Sequence, residues 1–203
     1  MSSSKFVHLH LHTSYSLSEG ALRVAELVNL CRQHDMPAVA ITDTGNLFGA
    51  LEFSEACKSA GVQPIIGTSL AVELTNEDTR CTNDFPRIVL LAQNERGYKN
   101  LLKLSSESYL STSSLDSPHV TLSLLAQHSN GLIALSGGPD GPLNFLFGNG
   151  NVDAARALAL TLSEIFPGRL YIELQRHGLN EEALVEPALL DLALELDLPI
   201  VAT

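Results

Sequence analysis

The sequence lacks tryptophan, and aromatic residues make up only 5% of its 203 positions. Such an aliphatic composition favours an α/β core over an aromatic-rich β-sandwich. Basic residues are also few, because 12 lysines and arginines stand against 23 aspartates and glutamates, for a formal net charge of −11. Affinity for a nucleic-acid backbone comes from clustered lysine and arginine. The charge balance therefore argues against this segment being the main backbone contact of a nucleic-acid-binding protein.

Cysteine is scarce as well, and long apolar runs are missing. Cys31, Cys57 and Cys81 are widely spaced and form no CxxC pair, which is typical of reduced thiols in a cytoplasmic protein rather than of a disulfide framework. Cys31 and Cys57 fall in helix-like apolar patterns and are predicted to be small core residues. The N-terminus has no signal-peptide pattern, and no apolar run approaches the roughly 18 residues that cross a bilayer. We expect a cytoplasmic protein without membrane association.

The most distinctive stretch is FVHLHLHT at 6–13. Read as a strand, it places His8, His10 and His12 on one face and the aliphatic residues between them on the other. Imidazole is the commonest metal ligand, whereas a single buried histidine is more often a hydrogen-bonded core residue. From these residues alone, a metal or phosphate site and a structural role both remain open.

Beyond this stretch, strand-like and helix-like patterns alternate. Strands are predicted at 6–13, 38–42, 64–74, 87–92, 132–136, 170–174 and 199–203, and helices at 21–34, 47–60, 97–110, 122–127, 152–165 and 181–196. Such alternation predicts a mostly parallel sheet with right-handed crossovers, either a barrel or a doubly wound sheet. The Rossmann fingerprint GxGxxG is missing. Polar or small residues recur at strand ends, where barrels keep their sites, so we favour a barrel.

Neither the polar loop at 76–84 nor the Ser/Thr-rich segment at 111–118 is long enough to separate domains. We expect residues 1–203 to form one domain. The last predicted strand is cut off by the end of the sequence, which suggests a fragment of a longer polypeptide.

Five segments carry a resemblance that covers essentially the whole chain. They are FVHLHLHTSYSLSEG at 6–20, AITDTGNLFGA at 40–50, PIIG at 64–67, GYKNLLKL at 97–104 and GLIALSGG at 131–138. Together they resemble the PHP (polymerase and histidinol phosphatase) domain at the N-terminus of bacterial replicative DNA polymerase III alpha subunits. The resemblance implies an α/β fold, a distorted TIM-like (β/α)7 barrel that is truncated here near its last strand.

The resemblance also implies where a metal site would lie. Metal-binding PHP proteins hold up to three ions at the C-terminal face of the barrel. By position, His10 and His12 match the two histidines of the first motif, and Glu19 matches an acidic ligand. His8 falls where many relatives carry aspartate. His177 fits a recurring segment and is expected to have a structural or surface role.

Other ligand positions depart from the family pattern. The site-rim positions with replaced ligands are Asp43 with Thr44, where the usual Thr-Asp-His-Gly reads Thr-Asp-Thr-Gly, Ser69 for glutamate, Arg87 for histidine and Gly138 for cysteine or histidine. The last motif, Asp-x-His, would follow Thr203. We therefore predict a vestigial site.

Ligand counting supports this prediction. Zinc takes four donors, or three plus water, and magnesium or manganese takes about six oxygens. His10, His12 and Glu19 supply three donors at most, which predicts no firmly bound cofactor and at most one weakly held zinc, manganese or magnesium ion. Arg87 would repel a cation and is expected to pair with Glu19 or Asp43 instead.

The resemblance implies a parent chain that extends DNA primers, with Mg²⁺ held by carboxylates outside this segment. In relatives with degenerate sites, the domain docks the proofreading exonuclease, the epsilon subunit, and braces the polymerase core. The remainder of the alpha chain, the sliding clamp and DNA are the other partners implied. We predict this scaffold role, with no catalytic residue in the fragment.

Two alternatives stay open. The intact pair His10 and His12, together with Glu19, would suit an active metal-dependent phosphoesterase, either a 3′–5′ exonuclease or an enzyme similar to histidinol phosphatase. A free-standing binding protein with a vestigial barrel is the other alternative.

Overall fold

The computed structural model describes residues 6–74, 85–113 and 115–203. The polar loop predicted at 76–84, with Cys81, lies outside the described residues. The helices are α1 Val24–Gln33, α2 Ala50–Ala60, α3 Glu95–Leu110, α4 Leu122–Gln127, α5 Pro142–Gly148, α6 Val152–Ile165 and α7 Asn180–Glu195. The strands are β1 Ala38–Ile41, β2 Gln63–Glu73, β3 Arg87–Ala92, β4 Val120–Thr121, β5 Leu132–Leu135, β6 Leu170–Leu174 and β7 Ile200–Ala202.

The strands form one sheet in the order β1-β2-β3-β5-β6-β7, with β4 beside β2. Within the described residues β3 is antiparallel to both neighbours, while the other pairings are parallel. A parallel strand needs a long crossover, usually a helix, and the polar segment between β2 and β3 has no helical apolar pattern. The mostly parallel sheet is confirmed, but the orientation of β3 differs. The first residue of β3, Arg87, consequently lies at the edge where the parallel strands end.

The sheet curls around an inner cluster to which almost every strand contributes. The cluster has a buried centre with partly buried side chains packed around it: Ala40, Val89, Leu91 and Leu135, then Leu9, Ile65, Ile133, Tyr171 and Val201. These residues come from β1, β2, β3, β5, β6, β7 and the segment at 6–13. A sheet that surrounds a shared interior, with helices outside it, is barrel-like. The expected distorted TIM-like α/β fold is therefore confirmed.

The segment at 6–13 differs from the predicted regular strand. It runs beside β1, where Ala40 N donates to His8 O and Thr42 N donates to Leu11 O, both at 2.8 Å. The two acceptors are three residues apart in the segment, whereas the two donors are only two residues apart along β1 and its end. A β-bulge produces this mismatch of one residue. The extra residue breaks the alternation: Leu9 packs in the inner cluster, whereas Leu11 packs against the helices α1 and α2.

This bulge explains why the three histidines do not share one face. The rings of His10 and His12 lie 5.2 Å apart, centroid to centroid. The ring of His8 instead contacts Phe6, at 4.8 Å, and no contact joins it to His10 or His12 in the described part of the chain. The prediction of a single row of three imidazoles was wrong in this respect.

Two cysteines lie in the core, as predicted. Cys31 and Cys57 are free, buried thiols in the cluster between β1, α1 and α2. Burial raises the pKa of both thiols, that of Cys57 to about 11. None of the helices among residues 6–74, 85–113 and 115–203 is both long and apolar enough to cross a membrane.

We expect neither Cys31 nor Cys57 to react with iodoacetamide in the folded chain at about pH 8, because thiolate is the reactive form and both thiols are buried and protonated. Peptide mass spectrometry after a short pulse of reagent measures the modification of each residue. Both should react fully in urea. Modification of Cys57 in the folded chain at the urea rate would contradict the burial of this helix interface.

Candidate functional site

The site-rim residues meet at the edge where the parallel strands end. Asp43 and Thr44 follow β1, Gly137 and Gly138 follow β5, and Glu173 lies near the end of β6. Because β3 runs the other way, its first residue also reaches this edge. The bulged segment at 6–13 lies beside β1 and adds its two paired histidines.

Glu173 is the most buried charged residue of the site, with 1% of its surface exposed. Its Oε1 lies 2.8 Å from His10 Nδ1. Because an ionised carboxylate only accepts hydrogen bonds, the imidazole proton belongs on Nδ1. Burial acts to raise the pKa of Glu173, but its hydrogen bond and charge interaction with His10, and bonds from Thr203 and Gln175, outweigh burial and lower it. Glu173 thus fixes the His10 tautomer and leaves Nε2 as the acceptor.

His12 is oriented by two hydroxyl groups. Its Nδ1 lies 3.2 Å from Ser16 Oγ and 3.3 Å from Thr44 Oγ1. Ser16 Oγ donates to Asp43 Oδ1 at 2.7 Å, and Thr44 Oγ1 donates to Glu19 Oε2 at 2.5 Å. Each hydroxyl has one proton, and both protons go to carboxylates, so the hydroxyls accept from His12 Nδ1. The Nε2 of His12 is then an acceptor as well.

The two Nε2 atoms of His10 and His12 face each other at 3.2 Å. Two lone pairs at this separation repel unless a positive charge lies between them. A shared proton would make an ordinary N–H···N hydrogen bond. A tetrahedral zinc ion with Zn–N distances near 2.0–2.1 Å would hold two nitrogens about 3.3 Å apart. The pair can therefore hold one proton or one small cation.

The pKa of His12 is lowered, first by burial and then by the neighbouring His10, with a smaller contribution from Arg87. The carboxylates of Glu19 and Asp43 act in the opposite direction without cancelling these effects. Near pH 6.5, the ordinary pKa of histidine, the unfolded chain therefore binds a proton at His12 more readily than the folded chain does. The stability contributed by neutral His12 is present above about pH 6.5 and is lost as the pH falls.

We therefore expect the free energy of unfolding to decrease between about pH 7.5 and pH 5.5, and to decrease less in the His12→Gln variant. Urea unfolding of both chains at the two pH values measures the difference. His34→Gln is the matched control, because His34 is an exposed residue that follows α1. Equal pH dependence in the wild type and the His12→Gln variant would contradict the lowered pKa.

The carboxylates of Asp43 and Glu19 already accept hydrogen bonds from other groups of the protein. Asp43 is 2% exposed, and it accepts from Thr13 N at 2.7 Å, Thr13 Oγ1 at 2.8 Å and Ser16 Oγ at 2.7 Å. Glu19 Oε1 accepts from Arg87 Nη1 at 3.0 Å, so the expected pairing of Arg87 is observed. Burial acts to raise the pKa of Glu19, but Thr44 and Arg87 together lower it. Both carboxylates therefore bind protein groups.

The remaining rim positions are arranged around these contacts. Ser69 is buried, and its backbone bridges to Thr44. Gly138 has a φ of 59°, and a Cβ there would come 2.8 Å from the side chain of Gln175. His177 lies apart from the site with a 64% exposed side chain, and its Nδ1 lies 2.8 Å from Glu182 Oε1 at the start of α7.

The sequence interpretation missed three residues of this network: Glu173, Gln175 and Ser16. Gln175 Nε2 donates to Glu173 Oε1 at 2.8 Å, and Ser16 connects His12 with Asp43. The signal for Glu173 is its place in Leu-Tyr-Ile-Glu-Leu, where a carboxylate interrupts a buried apolar strand. Such a residue needs partners and marks a polar site.

A multinuclear metal cluster does not fit these residues. In the described part of the chain, no group of three or more His, Cys, Asp or Glu side chains is arranged to hold a metal ion. His10 and His12 offer two nitrogens, but Glu19 is neutralised by Arg87. A catalytic zinc needs three protein ligands and an open position.

Comparison with known families agrees with this architecture. The family model of the PHP domain matches residues 8–177, so the chain belongs to the PHP domain family. Its curated relatives include the DNA polymerase III subunit alpha of Caulobacter vibrioides (strain NA1000 / CB15N), 46% identical over 199 residues, and that of Treponema pallidum (strain Nichols), 39% identical over 208 residues. The matches cover 98% and 100% of this chain but only 17% and 18% of the relatives. The chain thus spans about a sixth of the length of these relatives.

Solved structures with the same fold are more distant in sequence. A protein described as a metal-dependent phosphoesterase from Bifidobacterium adolescentis superposes with a TM-score of 0.60 at 14% identity, covering 98% of this chain and 87% of that one. An amidohydrolase from Chromobacterium violaceum superposes with a TM-score of 0.57 at 15% identity, covering 96% and 84%. At these identities the likeness establishes the fold alone.

Proposed function

We propose that this chain is the N-terminal PHP domain of a bacterial DNA polymerase III alpha subunit, in which the barrel end has lost its metal chemistry and serves as a scaffold. The observation that carries the proposal is the contact of Arg87 with Glu19 at 3.0 Å. A guanidinium held in this position repels a divalent cation and occupies the one partly exposed carboxylate of the rim. Thr44 hydrogen-bonds the other oxygen of Glu19 and so reinforces the same arrangement.

The parent protein would extend primers on a DNA template in the cytoplasm. Its magnesium ions would be bound by carboxylates elsewhere in the polypeptide, and the sliding clamp and DNA would contact the parent chain. The identity of 46% and 39% to alpha subunits along almost the entire chain supports this parentage. The net charge of −11 suits protein partners better than a DNA backbone.

The scaffold would brace the polymerase core and dock the proofreading exonuclease, the epsilon subunit. Docking of this kind needs ordered strand ends but no bound metal. We expect purified epsilon subunit to bind the alpha polypeptide equally well with and without EDTA, as measured by surface plasmon resonance. Loss of binding in EDTA would mean that a metal ion organises the docking surface.

A second candidate function is an active metal-dependent phosphoesterase. It is favoured by the facing Nε2 atoms of His10 and His12, 3.2 Å apart, and by the contact of His10 Nδ1 with Glu173. A carboxylate that hydrogen-bonds one ring nitrogen of a histidine commonly orients the other nitrogen toward a metal ion. The opposing evidence is the lack of a third convergent donor among the described residues.

Metal content and hydrolysis together distinguish the two functions. The polypeptide is purified without added metal, its metal is quantified by inductively coupled plasma mass spectrometry, and cleavage of a 3′-mismatched primer is followed. The scaffold predicts less than one ion per chain and no cleavage that depends on His10. Two or more stoichiometric ions, with cleavage that is lost in His10→Gln but kept in His34→Gln, would establish the phosphoesterase instead.

A further inference from the structure

A cleft lies between the short helix α5 and the first half of α7, on the other side of Gly138 and Pro139 from the histidine pair. It encloses about 330 Å³, which is enough for one long side chain. The eight residues that line it are Pro139, Asn144, Phe145, Gly148, Asn149, Glu181, Leu184 and Val185. Neither the polymerase relationship nor the vestigial metal site accounts for this cleft.

The polar groups of the cleft are one carboxylate and two side-chain amides, of Glu181, Asn144 and Asn149. Asn149 Nδ2 donates one hydrogen bond, to Phe145 O at 2.9 Å, which leaves its Oδ1 and one N–H for a ligand. Glu181 is exposed, and within the described residues no hydrogen bond or ion pair engages it. None of the eight lining residues is basic. A ligand that matches this lining must supply donors and positive charge.

Asn144 adds a buried acceptor that lacks a donor. Its Oδ1 is shielded from water and has no hydrogen-bond partner, the only side-chain atom in this state among the described residues. Leaving a buried polar atom unpaired costs free energy, so such an atom calls for a specific explanation. Because water does not reach Oδ1 in this conformation, its donor has to be a single trapped water, or a ligand group that meets the amide once the Asn144 side chain turns into the cleft.

The walls between these acceptors are apolar. Phe145, Leu184 and Val185 line the cleft together with Pro139, and Leu184 is 74% exposed. Such walls suit the aliphatic stem of a long side chain, and an aromatic ring beside carboxylate and amide oxygens suits a planar cation. Guanidinium carries five donors in one plane and is less strongly hydrated than an ammonium group.

We propose that this cleft binds an arginine side chain of a protein partner, with the guanidinium hydrogen-bonded to Glu181 and Asn144 and the stem against Phe145, Leu184 and Val185. The complementarity is one of charge, because the one free charge of the lining, on Glu181, is negative and none of the eight lining residues is basic. The proposal is independent of the scaffold function, since it concerns a different surface of the domain.

A trapped water is the competing explanation for Asn144. The same residue lines a second cavity of about 10 Å³ beside Gly138, Gln175 and Glu182. That is about the volume a single water requires. If a water satisfies Oδ1 from that side, Asn144 gives the larger cleft no preference for a donor, and only Glu181 favours a cation there.

The test uses three capped amino acids and the intact polypeptide that contains this chain. N-acetyl-arginine-N-methylamide is compared with the citrulline analogue, which keeps the shape and loses the charge, and with the norleucine analogue, which keeps only the apolar stem. Saturation-transfer-difference NMR titrations measure each affinity. We expect arginine to bind roughly tenfold tighter than citrulline at low salt, and citrulline tighter than norleucine.

Three variants locate the binding. Glu181→Gln should abolish the preference for arginine over citrulline, with Glu55→Gln on α2 as the matched exposed control. Asn144→Leu removes the buried acceptor and should weaken both polar probes. Gly148→Leu should block all three probes, because a Cβ at Gly148 meets nothing within 4 Å and the added side chain can enter the cleft without strain.

The proposal is overturned if arginine binds no better than norleucine, if no probe shows saturable binding, or if Gly148→Leu and Glu181→Gln leave arginine binding unchanged. The first result indicates an apolar groove, the second a cleft that holds water only, and the third a site elsewhere. Glu181 and Gly148 are exposed, so a folding defect would not explain these results. Equal thermal unfolding of the variants and the wild type checks this point.

Discussion

Glu173→Ala is expected to lower the free energy of unfolding by about 3–5 kcal/mol, the cost of removing one partner from a buried charged network. For a chain of this size the melting temperature should fall by roughly 6–20 °C. Thermal unfolding of the 203-residue chain, followed by circular dichroism, measures the change. This is one of the two largest effects we expect from the site.

The size of the effect follows from what Glu173 connects. Its Oε1 accepts from Thr203 Oγ1 at 2.5 Å, from Gln175 Nε2 at 2.8 Å and from His10 Nδ1 at 2.8 Å. Its Oε2 accepts from Gly137 N at 3.1 Å. These donors come from the bulged N-terminal segment, the turn after β5, the end of β6 and the end of β7. One carboxylate thus links the N-terminal segment to the ends of three strands.

The control is Glu164→Ala, which removes an exposed carboxylate from α6 and should change stability by no more than about 0.5 kcal/mol. Glu173→Gln keeps the shape of the side chain but directs an amide N–H toward donors. We therefore expect its free energy of unfolding to lie between those of Glu173→Ala and the wild type. If Glu173→Ala unfolded at the same temperature as the Glu164→Ala control, the strand ends would be held by packing alone.

Acid provides an independent check on the same residue. The pKa of Glu173 is lowered in the folded chain, so its contribution to stability is present above the unfolded pKa of about 4.3 and is lost as the pH falls through the folded value. The difference in stability between wild type and Glu173→Ala should therefore narrow below about pH 4. A difference that stays constant in acid would indicate that the charge is irrelevant.

Regular elements with strong local patterns could be predicted from the sequence. The bounds of β3, α6 and β6 are those of the apolar runs at 87–92, 152–165 and 170–174. Two helices also begin at residue types that commonly cap helices, because Asn94 Oδ1 accepts from Gly97 N and Thr121 Oγ1 accepts from Leu124 N. In these places propensity, periodicity and capping agree.

Features that depend on tertiary pairing could not be predicted in this way. The bulge at 6–13 exists because the segment lies beside β1, and nothing in its alternating pattern reveals the extra residue. The short helix α5 begins with Pro142 at its first position, which is a normal helix start. It has only seven residues and follows a glycine-rich turn, so its apolar pattern is too short to predict a helix. The strand β4 has two residues and is defined by its pairing with β2.

The same distinction between local patterns and tertiary pairing applies to the candidate site. The pairing of Arg87 with Glu19 could be anticipated, because an arginine in a cavity with a carboxylate has few other partners. The role of Glu173 could not, because three of its four donors, His10, Gly137 and Thr203, come from segments that are far from it in the sequence. His10 is 163 residues from Glu173, and only the curled sheet brings them together.

The second large effect is expected from introducing the donors that the family pattern has at the rim positions. We predict that a triple variant, Thr44→His, Ser69→Glu and Arg87→His, binds a divalent ion stoichiometrically. Removing the guanidinium releases Glu19, and the new side chains start from positions already adjacent to His12 and Glu19. Gly138 is left unchanged, because a Cβ there would meet the Gln175 side chain at 2.8 Å in a backbone conformation that favours glycine.

Without metal the triple variant should be less stable than the wild type, because Ser69 is 2% exposed and a glutamate there buries an unpaired carboxylate. Zinc or manganese at about a hundred times its dissociation constant should restore roughly 2.7 kcal/mol, a rise of roughly 5–11 °C in melting temperature. The wild type should shift by less than about 1 °C, because two imidazoles hold an ion weakly. Differential scanning fluorimetry with and without EDTA measures both.

Two further variants show whether the ion sits at the intended place. His10→Gln in the triple background should abolish the metal-dependent shift, whereas His34→Gln, an exposed histidine, should leave it intact. Arg87→His alone should give a smaller shift than the triple variant, because Thr44 still hydrogen-bonds Glu19 and only one donor is added. If the triple variant folds and yet shows no shift, the strand ends have moved too far apart for their donors to converge. The proposed loss of metal chemistry would then be due to the backbone around Glu173 and the bulge, and not to the replaced side chains.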